Sequence, residues 1–81
     1  MLFDTWVDTF LSEKGIDLEH VLEVPGPYGG VNLIPVGVLM ERIKGAPTKE
    51  QQGIKNTLVR IDSANGDVLQ FLHHLAKAIA I

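Results

Sequence analysis

The 81-residue sequence predicts a mainly α fold: a small bundle of about four helices with a short β-hairpin or extended excursion after the first. Three observations lead to this. Apolar residues recur at three- and four-residue intervals in four separate segments. Residues that start or stop helices bound those segments. The one stretch without this rhythm, between Ile16 and Ile34, contains the Pro- and Gly-rich run VPGPYGG.

From Phe3 to Lys14, the residues Phe3, Trp6, Val7, Phe10 and Leu11 share one side, and Asp4, Thr5, Asp8, Thr9 and Ser12 share the other. Asp4 is placed to accept hydrogen bonds from first-turn amides, and Gly15 sits where a left-handed cap ends a helix. Next come a short apolar stretch around Val21, Leu22 and Val24, the glycine loop, and VNLI. Two strands account for this pattern, and a helical turn capped by Asp17 accounts equally for residues 17–22. Pro35 suits the first turn of a second helix, in which Val36, Leu39, Met40 and Ile43 repeat as far as about Lys44. Gly45, Ala46 and Pro47 end that helix.

Thr48 and Gln51 have the spacing of a capping box for a third helix from about Lys49 to Asp62. There Ile54, Leu58 and Ile61 form the apolar side, with Lys49, Gln52, Asn56 and Arg60 roughly opposite. Gly53 lies in its interior at a cost of about 1 kcal/mol relative to Ala, which suggests close contact with a neighbouring element. After Asn65-Gly66, Asp67 starts a last helix. Its apolar residues (Val68, Phe71, Leu72, Leu75, Ala76, Ala78 and Ile79) leave Gln70, His73, His74 and Lys77 as a narrow polar strip. So wide an arc fits a central helix or one shared with a partner.

The length fits one domain over residues 1–81, and the 46% apolar content is enough for a core. No cysteine is present, so neither a disulfide nor a thiolate metal site can stabilise the domain. No apolar stretch reaches membrane-spanning length, and the acidic start does not read as a secretory signal, so a cytoplasmic protein is expected. Residues 1–24 contain Asp4, Asp8, Glu13, Asp17, Glu19 and Glu23 against Lys14 alone, a balance of −5. The remainder carries +2, and the net charge is −3. One end repels phosphate and the other tolerates it.

Little in the sequence points to catalysis. His73 and His74 are adjacent, so on a helix they diverge by about 100° and do not grip one ion together. No serine sits in a strained glycine elbow. Asp4 and Asp8 share an exposed face rather than opposing each other across a cleft. GPYGG lacks the residues of a phosphate loop and precedes an extended segment. No catalytic residue, metal site or cofactor is expected.

The expected function is therefore that of a small, acidic, non-enzymatic interaction protein. It would be an adaptor, regulatory subunit or inhibitor bound to a larger macromolecule, and a mobile-element antagonist of a nucleic-acid-handling enzyme is one form of this. The expected contact residues are Asp4, Asp8 and Glu13 on the first helix, together with Tyr28. Tyr28 either stands out between its glycines as a contact aromatic or folds back as a lid on the core. Trp6 is expected in the core, the other reading being a surface anchor beside the acids. The alternative function is a dimeric helix-turn-helix DNA-binding regulator that reads bases and phosphates through Lys49, Gln52, Lys55, Asn56 and Arg60, with Gln51 beside them. The acidic balance and the dispersed cations weigh against that alternative. A homodimer through the last helix and its ending AKAIAI is a separate expectation.

Overall fold

The computed structural model describes residues 2–79, so Ala80 and Ile81 of the AKAIAI ending lie outside the described residues. Helix α1 spans Phe3–Glu13, strand β1 Val21–Pro25 and strand β2 Val31–Pro35. Helices α2 (Val36–Lys44), α3 (Thr48–Ser63) and α4 (Val68–Ile79) follow. The predicted architecture is the observed one: four helices with a hairpin after the first.

The helix ends follow from local chemistry. Gly15 takes φ 70° after α1, and the Ile16 amide donates to the Leu11 carbonyl at 3.0 Å, closing a left-handed cap. Asn65 (φ 56°) repeats the device after α3, with the Gly66 amide on the Ile61 carbonyl at 2.8 Å. Asp67 caps α4 through Oδ1, which accepts from the Gln70 amide.

Several caps differ from expectation. Helix α1 starts after Leu2 without a side-chain cap, and Asp4 lies in its first turn. Pro47, not Thr48, precedes α3, and no capping box forms. Gln51 instead reaches backwards: its Nε2 donates to the carbonyls of Ile43 (3.2 Å) and Lys44 (2.9 Å) at the C-terminus of α2. The Ile43 carbonyl also accepts from the Ala46 amide at 3.1 Å, and the shorter Gln51 bond goes to Lys44, the last carbonyl of α2, so Gln51 helps to close one helix from the next. Pro35 ends β2 and sits just before α2. The first amides of α2, on Val36 and Gly37, donate to the carbonyls of His20 and Leu18, each at 2.8 Å. Both readings of residues 17–22 hold in part. Asp17 organises a turn, accepting from the Glu19 amide at 2.9 Å, and the strand begins at Val21.

The strands are antiparallel, with Leu22 opposite Ile34 and Val24 opposite Asn32. Leu22 and Val24 face inward onto α4, whose Val68, Leu72 and Ala76 are buried. Val7, Phe10 and Leu11 of α1 and Val36, Leu39, Met40 and Ile43 of α2 complete one core, to which α3 contributes the fully buried Leu58. Leu69, Phe71, Leu75 and Ile79 of α4 are partly buried against the same core, while Ala78 is exposed. The arc of α4 is thus used largely within the chain, as a central helix requires. No helix among the described residues is long and apolar enough to cross a membrane.

Gly53 overturns its expectation. A Cβ built there meets nothing within 4 Å, and the residue is exposed. Its cost to the helix therefore has no packing return, and Gly53→Ala is expected to stabilise the fold by about 0.8–1 kcal/mol. A calorimetric Tm higher by about 4–8 °C would register this. Leu58→Ala, which empties the one fully buried position of α3, is expected to cost about 2–5 kcal/mol in urea unfolding.

Candidate interaction surface

Tyr28 lies at the tip of the hairpin and is 100% exposed, so the lid arrangement does not occur. The loop holding it is built from glycines for steric reasons. A Cβ on Gly26 would come within 2.8 Å of the Gly29 carbonyl oxygen, and Gly29 and Gly30 adopt φ of 87° and 73°. The Gly26 amide donates to the Gly30 carbonyl at 3.1 Å, closing the loop on the strands. The outer face of the hairpin continues the apolar surface through Val21, Val31 and Leu33, all exposed. Alternation within VLEVP and VNLI marks these outward positions in the sequence.

The three acidic positions of α1 are exposed but not equivalent. Asp8 Oδ2 accepts from Lys44 Nζ at 3.0 Å, tying α1 to α2. Asp4 and Glu13 make no ion pair among the described residues. Lys14, the lone cation of this end, pairs with Asp62 of α3. Asp8 also lines a groove with Asp17 and Glu19, which brings two acids of the following turn beside α1. Trp6 is neither a core residue nor a free anchor. It is half-buried, stacks between Phe3 and Phe10 with centroid distances of 6.3 and 5.1 Å, and carries Lys55 Nζ 5.2 Å from its ring centroid. That geometry is a cation–π contact.

The residues named for the DNA-binding alternative all lie on α3. Lys49, Gln52, Asn56 and Arg60 are exposed, Gln52 Nε2 donates to Asn56 Oδ1 at 3.0 Å, and Lys55 is drawn onto Trp6. Gln51 is turned away to α2.

The histidines split in role. His73 does not belong to a solvated strip: it is half-buried, and its Nε2 meets the Glu23 carbonyl of β1. A carbonyl only accepts, so Nε2 carries the proton. His74 is exposed. Among the described residues, no group of three or more His, Asp or Glu side chains could hold a metal ion. The concave regions are grooves between elements. One runs between the end of α2, α3 and α4, past Pro47, Gly53, Ile54, Phe71 and Leu75.

Comparison with known proteins brings no similarity to bear: no protein family, no curated protein and no solved structure matches this chain.

The hydrogen bond from Lys44 to Asp8 raises the Lys44 pKa above its usual 10.5. Burial opposes the rise, and the charges of Asp8, Glu41 and Asp4 reinforce it. A raised lysine pKa means that the folded state holds the proton more tightly, so the stabilisation is complete below pH 10.5 and is lost as pH climbs through the folded-state value. Lys44→Met is therefore expected to lose less than about 1 kcal/mol at neutral pH. Urea titrations of both proteins should show that gap steady to pH 9 and closing above 10.5. A gap that persists unchanged beyond the lysine titration would contradict the assignment.

Proposed function

We propose that this chain is a non-enzymatic interaction module, an adaptor, regulatory subunit or inhibitor, that docks on a larger protein through the Tyr28 loop. Asp4 and Glu13 of α1 act as accessory contacts to basic groups. The observation that carries the reading is the complete exposure of Tyr28 in a domain whose core closes without it. A small domain ordinarily commits its large side chains to the interior. An aromatic held in water by a loop that only glycine can build stabilises nothing visible in the fold, whereas tyrosine at an interface brings large contact area and a polar tip.

Binding is favoured over catalysis by how the polar groups are used. The Nε2 of His73 is engaged by a backbone carbonyl and Asp8 by Lys44, which leaves both in structural roles. Protein docking is favoured over duplex binding by the same reasoning: Lys55 is held on Trp6, and Glu50 and Asp62 dilute the charge of α3.

The test is affinity purification from the native host with the wild-type chain, Tyr28→Ala, and the double variant Asp4→Ala/Glu13→Ala. A specific partner should be retained by the wild type and reduced at least about tenfold by Tyr28→Ala, the loss of one interface hot spot. The Tm should stay unchanged, since Tyr28 touches no core. The double variant should weaken capture mainly at low salt. If all three chains retain the same proteins equally, the reading is wrong.

A further inference from the structure

The hairpin has two outer edges, and the described residues cover only one of them. Register and flanking bonds establish which backbone groups point outward. The pairs Gly26–Gly30 and His20–Val36 are hydrogen-bonded at the two ends, so the pairs Leu22–Ile34 and Val24–Asn32 lie in phase with them. The odd-numbered residues therefore direct their N–H and C=O groups away from the hairpin. On β1 these are Val21, Glu23 and Pro25. That edge is protected: α4 packs against β1, the Glu23 carbonyl accepts from His73, and Pro25 has no N–H to offer.

On β2 the outward positions are Val31, Leu33 and the terminal Pro35, which has no N–H to offer, and no hydrogen bond from Val31 or Leu33 to another described residue closes that edge. The side chains of Val31 and Leu33 are 60% and 64% exposed. The usual protections of a free edge are missing at these two positions, since neither is lysine, proline or a bulge. Beside the edge lies a groove whose apolar lining (Leu33, Ile34, Val38, Leu39, Ala76 and Ile79) is completed by the polar Asn32 and Arg42.

We propose that a second copy of this chain covers the β2 edge, joining two hairpins antiparallel into a four-stranded sheet. Two features select a copy over an unrelated strand. First, the chain carries no charged side chain from Val24 to Met40, although its net charge is −3. Two copies therefore meet at this edge without the like-charge repulsion that the acidic first part of the chain would bring to a contact made there. Second, the edge is complementary to itself. A twofold axis beside Asn32 sets Val31 opposite Leu33 of the copy and Leu33 opposite Val31, and each pair exchanges both backbone hydrogen bonds. Asn32 then faces its own equivalent at the close, non-hydrogen-bonded position. Its exposed amide carries both a donor and an acceptor, so it can pair with an identical amide.

This dimer differs from one formed through α4, whose apolar residues are largely used by the core. It is also independent of Tyr28 docking, which requires no second copy.

Sedimentation of the full chain from micromolar to millimolar concentration should show a monomer–dimer equilibrium. Leu33→Lys, which adds a charge to each side of the contact, should raise the dissociation constant at least about tenfold, the effect of 1.4 kcal/mol. Lys77→Ala on α4 should leave it unchanged. Amide exchange of the wild type supplies a reading that needs no variant. The Val31 and Leu33 amides should slow with rising concentration, and the Val21 and Glu23 amides should not. A monomer at every concentration would overturn the proposal. So would a dimer in which the Val31 and Leu33 amides remain unprotected, because its contact would then lie elsewhere.

Discussion

The packing of α4 on β1 is the contact on which the rest of the fold depends. An isolated two-stranded hairpin is at best marginally stable in water, so VLEVP and VNLIP hold their form only with a surface to lie on. Helix α4 is that surface. It sets Leu72 and Ala76 in the same core as Leu22 and Val24 and places His73 against the Glu23 carbonyl. The residues it joins are some fifty positions apart, so distant segments of the chain must meet before either is stable. The same packing gives the hairpin its asymmetry. One edge is covered by the helix, and β2 is left at the margin of the molecule with its apolar side chains in water.

Around that contact, the chain joins its short helices by satisfying the open ends of one element from the next. Gln51 of α3 serves the carbonyls of α2, and the turn at Leu18–His20 serves the amides of α2. Helices of nine to sixteen residues gain little from propensity alone and would fray with their terminal groups unpaired. In a domain without disulfides these bonds restrict the angles at which elements meet, and the apolar contacts then lock the arrangement.

How much of this is legible in the sequence depends on whether the cause is local. The four helices, their inward faces, the Gly15 and Asn65 stops and the Asp67 cap are all readable, because each arises within a few residues. The role of Gln51 is not, since Thr48-x-x-Gln51 satisfies the capping-box pattern, and only the position of α2 shows that its amide has a better use. Gly53 misleads for the same reason: glycine in a helix signals close approach only if a neighbour is there, and here the position faces open space. His73 reads as surface because its partner is the backbone of a distant strand, which carries no mark in the sequence. Tyr28 can be placed in its loop from the sequence, but its outward direction follows only from the fold, in which it is fully exposed.

The charges redistribute in the same way, and this changes what the acidic balance means. Read along the chain, the first 24 residues form a strongly negative block. In the fold Lys44 comes across to pair with Asp8, while Lys14, the block's own cation, pairs outside it with Asp62 on α3. What began as one acidic end becomes a set of ties between α1 and the two helices beside it, with Asp4 and Glu13 outside those ties. The uncharged segment from Val24 to Met40 shows the opposite behaviour. Part of it is buried in α2, but Tyr28, Val31, Leu33 and Val38 remain in solvent with no charge among them to keep other surfaces away. Only Lys14, Asp62, Lys44 and Asp8 are tied up in ion pairs among the described residues, while the neutral loop and strand face water. It is this exposed neutral surface that supports the proposed contacts on the hairpin. Net charge alone would have placed those contacts on the first helix.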